Sequence, residues 1–269
     1  MSSFTVLLTV HGRESADYFD KSLYSIWNEQ LLKPNCIVII EDGPLSKELN
    51  LILYKWVKIL KNNLKLVKNE KQRGLTSCLI EGITYCQTEY IARMDSDDIS
   101  LSNRFKLQVD FLDNNPDVSI VGTNAAIIDQ DGKVLSIRKM PTTHDSIIKK
   151  LPFFNPLIHP SVMMKKSIFE DNNNYPAISE TSQDYAFWFL LASKGYHFKN
   201  IDNILINYRT KQRKNSVRYA FNELKVRIYG NRISKQPIYI YFLLPFLFLI
   251  SLIPYSVSNK VKKSYKRLL

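Results

Sequence analysis

The stretch Tyr90-Ile91-Ala92-Arg93-Met94-Asp95-Ser96-Asp97-Asp98 decides the fold, because a mainly apolar run ends in three carboxylates. The run has the length and composition of a buried strand, so the acidic residues are expected at its carboxyl end. Three like charges this close repel one another unless a cation neutralises them. Carboxylates suit Mg²⁺ or Mn²⁺, and protein-bound Mg²⁺ usually keeps substrate phosphates as further ligands. The stretch therefore predicts a divalent metal site that also takes a nucleoside diphosphate.

The acidic residues also have simpler interpretations. They could form a solvated turn that caps the helix predicted from about Leu101, and the residues alone leave that alternative open. A calcium loop is excluded, because its sixth position would be Ser100 instead of Gly and its twelfth would be Lys106 instead of Glu.

Short β-branched runs alternate with helical patterns through the first half of the chain. This alternation predicts βαβ units and a parallel sheet. The predicted strands are Phe4–Val10, Cys36–Ile40, Leu64–Val67 and Tyr90–Met94, and the predicted helices are Ala16–Gln30, Lys47–Lys61 and Ser77–Cys86.

Polar loops follow the first, second and fourth predicted strands: His11-Gly12-Arg13, Glu41-Asp42-Gly43 and Asp95-Ser96-Asp97. In open α/β sheets, ligands bind beyond the carboxyl ends of the strands. We therefore expect the three loops to converge on one crevice, which strengthens the binding-site interpretation of each.

The later pattern leaves strict βαβ order. It predicts a helix at Arg104–Asn114, a strand at 118–122, a hairpin through 127–135, a strand at 161–164 and an apolar helix at 183–192. No linker is visible before about residue 212, so we expect a catalytic domain at 1–212 and a carboxyl-terminal segment at 213–269.

These segments together resemble the family 2 glycosyltransferases, especially bacterial members that build polysaccharides. The resemblance spans about residues 4–210 and implies an α/β fold of the GT-A type, a Rossmann-like mixed sheet flanked by helices. It is carried by Thr5–Arg13, Glu41-Asp42-Gly43, Lys71–Leu75 with Glu81-Gly82-Ile83, Glu89–Asp98 and Gln183–Trp188.

The resemblance implies a role for each polar residue on the donor side. Asp97 and Asp95 would hold Mn²⁺ or Mg²⁺ against the two phosphates of a nucleotide sugar, so Asp95 would also contact the substrate. Asp42 would accept hydrogen bonds from the base, although aspartate is also common in turns such as Asp42-Gly43-Pro44. Arg73 would clamp phosphate oxygens, unless it is simply an exposed arginine in a lysine-rich loop.

On the acceptor side, Asp184 matches the catalytic base of the family, which would give inversion at the anomeric carbon. Its structural alternative is the N-cap of the predicted helix, and the two roles are compatible. His159 could contact the acceptor, but a lone loop histidine is more often a packing or hydrogen-bonding residue.

Three positions depart from the family pattern. The opening loop reads His11-Gly12-Arg13 where many members have Pro-Thr-Tyr-Asn, so an aromatic that stacks on the base must come from elsewhere or be missing. Ile80 replaces a usual Asn, and Gln183 replaces a common acidic residue, which leaves open the pKa of the base but not its presence.

The net charge of +12 is concentrated at the carboxyl end. Residues 1–208 carry 23 basic and 24 acidic residues, whereas residues 209–269 carry 14 basic residues and one acid, Glu223. The basic residues flank a long apolar run, which favours an anionic membrane surface over nucleic acid. Three cysteines without C-x-x-C spacing and the lack of a signal-peptide pattern fit the cytoplasm.

Between Lys235 and Lys260 lie 24 uncharged residues. As a helix this run would measure roughly 36 Å, enough to cross an apolar layer of about 30 Å. The basic residues after it should stay on the same side as the catalytic domain. We therefore expect residues 238–257 to form a re-entrant or interfacial hairpin, broken at Pro245 and Pro254, rather than a buried helix of a soluble protein.

The combined prediction is a metal-dependent, inverting glycosyltransferase on the cytoplasmic face of the membrane. It would move a sugar from a nucleotide diphosphate sugar, with UDP the expected nucleotide, to a polyprenyl-diphosphate-linked or growing glycan acceptor in O-antigen, capsule or exopolysaccharide synthesis. A catalytically silent membrane-bound scaffold remains an alternative. A nucleotidyltransferase is less favoured, because it needs a glycine- and lysine-rich phosphate loop near the amino terminus.

Overall fold

The computed structural model describes residues 2–179, 181–210 and 217–252, and the chain forms two compact units. The first unit comprises Met1–Thr143, Leu157–Asn174 and His197–Lys211. The second comprises His144–Pro156, Tyr175–Tyr196 and Gln212–Leu269. The domain division expected at residue 212 stays a prediction.

The first unit is built on a mixed sheet, and its described residues form nine strands. They are β1 (Phe4–Val10), β2 (Cys36–Glu41), β3 (Leu64–Lys68), β4 (Tyr90–Asp95), β5 (Ile99–Ser100), β6 (Val118–Ile128), β7 (Val134–Arg138), β8 (Met163–Lys165) and β9 (His197–Arg209). The order is β3-β2-β1-β4-β8-β6-β9-β5, and β7 pairs with β6. The first four strands are parallel, and β8 runs antiparallel to both of its neighbours. The expected α/β fold with a mixed sheet is confirmed.

Helices flank the sheet and also make up most of the second unit. They are α1 (Ala16–Trp27), α2 (Lys47–Leu60), α3 (Leu75–Thr84), α4 (Arg104–Asn114), α5 (His144–Lys150), α6 (Ser167–Glu170), α7 (Gln183–Ser193), α8 (Val217–Ile233) and α9 (Tyr239–Leu252). Serine side chains start two of them: Ser15 accepts a hydrogen bond from the Tyr18 amide, and Ser46 accepts one from the Leu49 amide.

The centre of the sheet follows directly from sequence. The buried run of β1 lies between β2 and β4, with Val10 opposite Glu41 and Thr9 opposite Asp95. Strands buried on both faces read as continuous apolar runs, as β1 and β2 do. The carboxyl ends of β1, β2 and β4 are therefore neighbours, as their loops predicted.

Two later elements differ from expectation in length. The strand expected at 161–164 is β8, which begins only at Met163, because a 3₁₀ turn occupies His159–Ser161. The strand expected at 118–122 continues to Ile128, and the Asp129 carboxylate closes the hairpin turn by accepting from the amides of Asp131 and Lys133.

The second unit is organised around α7, which is apolar on every side. Its aromatic residues Tyr185, Phe187, Trp188 and Phe189 are all buried, as expected for a helix in the middle of a core. Helix α8 approaches α7 at Gly230, where a Cβ atom would lie 2.2 Å from the Phe189 ring. No helix among the described residues is both long and apolar enough to cross a bilayer. Of the run at 238–257, residues 253–257 lie outside the described residues.

The close approach at Gly230 gives a stability test. Alanine has a helix propensity advantage of about 1 kcal/mol over glycine, but overpacking a core typically costs about 1–3 kcal/mol. The Phe189 ring is fully buried and has little room to move, so overpacking should win. We expect Gly230→Ala to lower Tm by about 2–4 °C in thermal unfolding. Combined with Phe189→Leu, it should cost less than the sum of the two single changes, and strict additivity would contradict the contact.

Candidate functional site

Three carboxylates meet in the loop after β4. One oxygen from each of Asp95, Asp97 and Asp98 lies within 4.8 Å of the others. Asp97 and Asp98 are buried, and the Asp95 side chain is about one-third exposed. The alternative of a helix cap does not apply, because the N-cap of α4 is Asn103 and β5 separates it from the acidic residues.

The Asp98 carboxylate is buried beside two like charges. Burial, together with the charges of Asp95 and Asp97, holds the pKa of Asp98 well above its usual range. Its Oδ1 accepts from the Arg209 amide at 2.7 Å, whereas its buried Oδ2 has no hydrogen-bond partner among the described residues. A buried carboxylate oxygen with two further carboxylates beside it is a fitting environment for a divalent cation.

Two buried arginines lie beneath this loop. Arg93, on β4, forms an ion pair with the Asp95 carboxylate. Arg104, on α4, donates from Nη2 to the Arg93 carbonyl oxygen at 2.8 Å. Burial lowers the pKa of Arg104 to about 9 against the opposing attraction of the Asp98 carboxylate. The loop is therefore held from below by positive charge.

Arg209, at the end of β9, fastens the loop from the side. Its amide binds Asp98, its Nε donates to the Asp97 carbonyl at 2.9 Å, and its Nη1 donates to the carbonyls of Asp129 and Gln130 at 2.7 and 2.8 Å. The guanidinium carbon lies 4.1 Å from the centre of the Tyr18 ring. Sequence reasoning missed this residue, since it counted Arg209 with the basic tail although the side chain is buried.

Asp42 joins two loops of the first unit. Its carboxylate accepts from the Arg73 amide at 2.6 Å and from the Gly74 amide at 3.1 Å. Gly43 lies at φ +83°, and a Cβ there would be 2.8 Å from the Gln72 amide nitrogen. Glycine is thus required where the loops meet, and Asp42 is more than a turn residue.

The Arg73 side chain is held by α3 and its preceding loop. Its Nη1 donates to Glu81 Oε2 at 2.9 Å and to Asn69 Oδ1 at 3.1 Å, while about half of the side chain is exposed. Nearby, burial and a hydrogen bond to Asp42 raise the pKa of the Cys78 thiol to about 12. The Cys78 thiol is therefore neutral at physiological pH. The two hydrogen bonds of Arg73 fix the position of its side chain.

His159 lies in the 3₁₀ turn of the first unit and is buried. Burial and the nearby charge of Arg93 hold its pKa well below the usual range, so the imidazole is neutral at physiological pH. A contact between His159 and the acceptor stays a prediction.

Asp184 belongs to the second unit and is the second residue of α7. Ser182 occupies the N-cap position, so Asp184 is not the N-cap. Asn155 donates from its amide nitrogen to Asp184 Oδ2 at 2.7 Å, which fixes the orientation of the carboxylate. Its role as a base stays a prediction.

Comparison with known proteins gives consistent matches. The model of the family described as Glycosyl transferase family 2 matches residues 5–172. A UDP-Gal:alpha-D-GlcNAc-diphosphoundecaprenol beta-1,3-galactosyltransferase of Escherichia coli is 31% identical over 241 residues, covering 87% of this chain and 86% of the relative. The amylovoran biosynthesis glycosyltransferase AmsE of Erwinia amylovora is 28% identical over 225 residues, covering 84% and 83%.

Among solved structures, the mannosyltransferase PcManGT from Pyrobaculum calidifontis, in complex with GDP-Man and Mn²⁺, aligns with a TM-score of 0.64. The alignment covers 98% of this chain and 75% of that one, at 13% identity. At this identity the likeness shows a common fold alone.

The crowding of charge around Asp98 predicts an unusual gain in stability. In Asp98→Asn, the amide oxygen still accepts from the Arg209 amide, and the buried charge is removed. The NH₂ group takes the place of the unpartnered Oδ2, whose burial costs about 1–3 kcal/mol. Because folding raises the pKa of Asp98, the wild-type protein loses stability as pH rises above the unfolded-state value near 4. Asp98→Asn should therefore raise Tm of the metal-free protein at neutral pH, and this gain should vanish below about pH 4.

Asp113→Asn is the matched control, with the opposite sign. Asp113 is exposed, and its slight desolvation acts to raise its pKa, but hydrogen bonds from Ser2 and Tyr90 outweigh this effect and lower the pKa. This carboxylate therefore stabilises the fold at neutral pH, and its replacement should lower Tm there. A loss of stability in Asp98→Asn at pH 7 without added metal would contradict the description of the acidic loop.

Proposed function

The chain belongs to glycosyl transferase family 2, and we propose that it is a metal-dependent, inverting enzyme that transfers a sugar from a nucleotide diphosphate sugar to a lipid-linked or growing glycan. The observation that carries this proposal is the cluster of Asp95, Asp97 and Asp98 at the carboxyl end of β4, with a buried oxygen of Asp98 lacking a partner among the described residues. Such a cluster suits a cation that is shared with an anionic substrate.

Asp95 and Asp97, with Asp98 beside them, would hold Mn²⁺ or Mg²⁺. When bound, the ion would supply Lewis-acid stabilisation of charge on the departing diphosphate. Mn²⁺ is the first ion to test, because the mannosyltransferase PcManGT, which has a similar fold, was solved in complex with it.

Asp42 and Arg73 are proposed to bind the donor nucleotide. An ionised carboxylate has about four lone-pair positions, so Asp42 can accept from the amides of Arg73 and Gly74 and from the Cys78 thiol and still accept an N–H group of the base. The two side-chain bonds from Arg73 to α3 and its loop both use Nη1, which leaves donors on its other nitrogens for phosphate oxygens.

Asp184 is proposed as the general base, oriented by Asn155. It would take the proton of the acceptor hydroxyl while the acceptor oxygen bonds to the anomeric carbon. The bond from that carbon to the diphosphate oxygen breaks on the opposite face, and the electron pair leaves with the nucleoside diphosphate. A single displacement of this kind inverts the anomeric configuration. His159 is proposed to contact the acceptor.

The proposed acceptor is a sugar on a polyprenyl diphosphate or a growing polysaccharide, and the proposed donor is a UDP-sugar. Both are supported by the Escherichia coli relative, whose name specifies UDP-Gal and a diphosphoundecaprenol-linked sugar. The amylovoran relative supports a role in polysaccharide synthesis. A lipid-linked acceptor and a nucleotide sugar would meet at the cytoplasmic face of the membrane.

The donor side is tested by calorimetry with UDP and a panel of nucleotide sugars, with Mn²⁺ or with EDTA. We expect UDP to bind only with the divalent ion, and Asp97→Ala to abolish this binding because one ligand and one compensating charge are lost. Asp117→Ala, which removes an exposed carboxylate of the first unit, is the matched control and should bind normally. Equal UDP binding by the Asp97 variant and the wild type, with and without EDTA, would refute the metal site. No binding of any nucleotide to a folded protein would favour a silent scaffold.

The acceptor side is tested by Asp184→Asn. This change keeps a hydrogen-bonding side chain next to Asn155 but cannot take a proton, so we expect kcat to fall by about 10²–10⁴. The Kd for the nucleotide sugar should stay nearly unchanged, and Tm should confirm folding. The rate is measured as nucleoside diphosphate release in the presence of acceptor. A variant that retains most of its turnover would show that Asp184 is not the base.

A further inference from the structure

Helix α9 of the second unit has two apolar faces. One face is buried and consists of Ile240, Leu244, Leu247 and Ile250. The other is exposed and consists of Ile238, which precedes the helix, Tyr239, Phe242, Phe246 and Leu249, each at least 55% exposed. A helix of a soluble protein normally presents polar residues on its outer face. An exposed apolar face of this size is typical of a surface that binds another molecule or a membrane.

Helix α8 carries an exposed stripe that combines four basic and two apolar residues. Successive members are three or four residues apart, so they share one face of the helix, and all of them are exposed. The stripe consists of Arg218, Phe221, Lys225, Ile228, Arg232 and Lys235, the last of which lies just beyond the helix.

The two helices form one hairpin. The Gln236 amide donates to the Asn231 carbonyl at 2.9 Å in the connection, and Lys235 takes the left-handed conformation with φ 50°. The rings of Phe221 on α8 and Phe248 on α9 lie 5.0 Å apart. The basic stripe of α8 therefore borders α9 along the hairpin.

We propose that this hairpin docks on an anionic lipid surface, with the exposed face of α9 in the boundary between headgroups and acyl chains and the α8 stripe on the lipid phosphates. Apolar side chains beside lysine and arginine are what such a boundary selects. The acid of the hairpin, Glu223, pairs with the buried Arg227 at 3.0 Å and is not part of the stripe. The six residues of the exposed stripe thus include four basic residues and no acid.

Charge also disfavours a second copy of this chain as the occupant. A symmetric contact would bring an identical basic stripe toward the first, and like charges at an interface repel. An anionic bilayer accommodates both the charges and the apolar residues.

The proposal deepens the proposed function, because a membrane that holds a lipid-linked acceptor would concentrate the enzyme beside it. The docking itself does not depend on catalysis. Vesicle binding and donor binding can therefore fail separately.

The test is flotation of the full-length protein with vesicles of phosphatidylcholine alone or mixed with phosphatidylglycerol. The charge variant is Arg218→Gln, Lys225→Gln, Arg232→Gln and Lys235→Gln, and its control changes the exposed residues Lys33, Lys58, Lys61 and Lys65 of the first unit to Gln. The apolar variant is Phe242→Ser and Phe246→Ser, and its control is Leu51→Ser and Tyr54→Ser on the exposed face of α2. All changed side chains are exposed, and unchanged thermal unfolding verifies folding.

We expect wild-type protein to partition onto the mixed vesicles at least about tenfold better than onto phosphatidylcholine, and this preference should fall with salt. The charge variant should lose the preference, by several hundredfold at low salt, since each of its four basic residues contributes roughly fivefold. The apolar variant should bind at least about tenfold more weakly at any salt concentration. Both controls should bind as the wild type does.

Three results would overturn the docking surface. They are the absence of flotation, flotation that either control reduces as much as its matched variant, and a concentration-dependent dimer in sedimentation that the apolar variant abolishes. Donor binding measured in solution without vesicles should be the same for all five proteins. Loss of donor binding with intact flotation would count against the proposed function alone.

Discussion

Three carboxylates held within 4.8 Å of one another are the constraint around which the first unit is organised. Their mutual repulsion would open the loop after β4 unless surrounding groups opposed it. Three buried arginines do so from different elements: Arg93 on β4, Arg104 on α4 and Arg209 on β9. Arg93 pairs with the Asp95 carboxylate, Arg104 donates to the Arg93 carbonyl oxygen, and Arg209 donates to the Asp97 carbonyl oxygen. The acidic loop and its support are therefore one structure.

The second half of the sheet supports the acidic loop through Arg209. Strand β9 runs parallel to β6 and ends at Arg209, whose side chain reaches both the acidic loop and the turn between β6 and β7. Tyr18 completes the connection, since its ring lies against the guanidinium and its hydroxyl donates to Gln130 at 2.9 Å. The Arg209 side chain thus contacts helix α1, the acidic loop and the turn between β6 and β7. The Tyr18 ring is therefore already in contact with the Arg209 guanidinium.

The sequence patterns predicted the strands and helices that depend on interactions between residues close together in the chain. Continuous apolar runs identified β1 with its observed bounds, and the apolar period identified α4. Strand β9 has a mixed composition, and its partner β6 lies far away in sequence, so no local pattern could mark it. The same holds for Arg209: its positive charge was visible in the sequence, but its burial depends on Asp97 and Asp98, which lie more than 100 residues earlier. Asp42 was visible as a candidate, whereas its bonds to the amides of residues 73 and 74 follow only from the folded loops.

The distribution of charge has a consequence for how the proposed substrate can enter. A nucleoside diphosphate is an anion, and the acidic loop by itself would repel it. The arginines next to the loop already contact the carboxylate of Asp95 and the carbonyl oxygen of Arg93. In the proposed function, a cation would therefore bind together with the diphosphate, and the coupling would be reciprocal: each would raise the affinity for the other by the same factor.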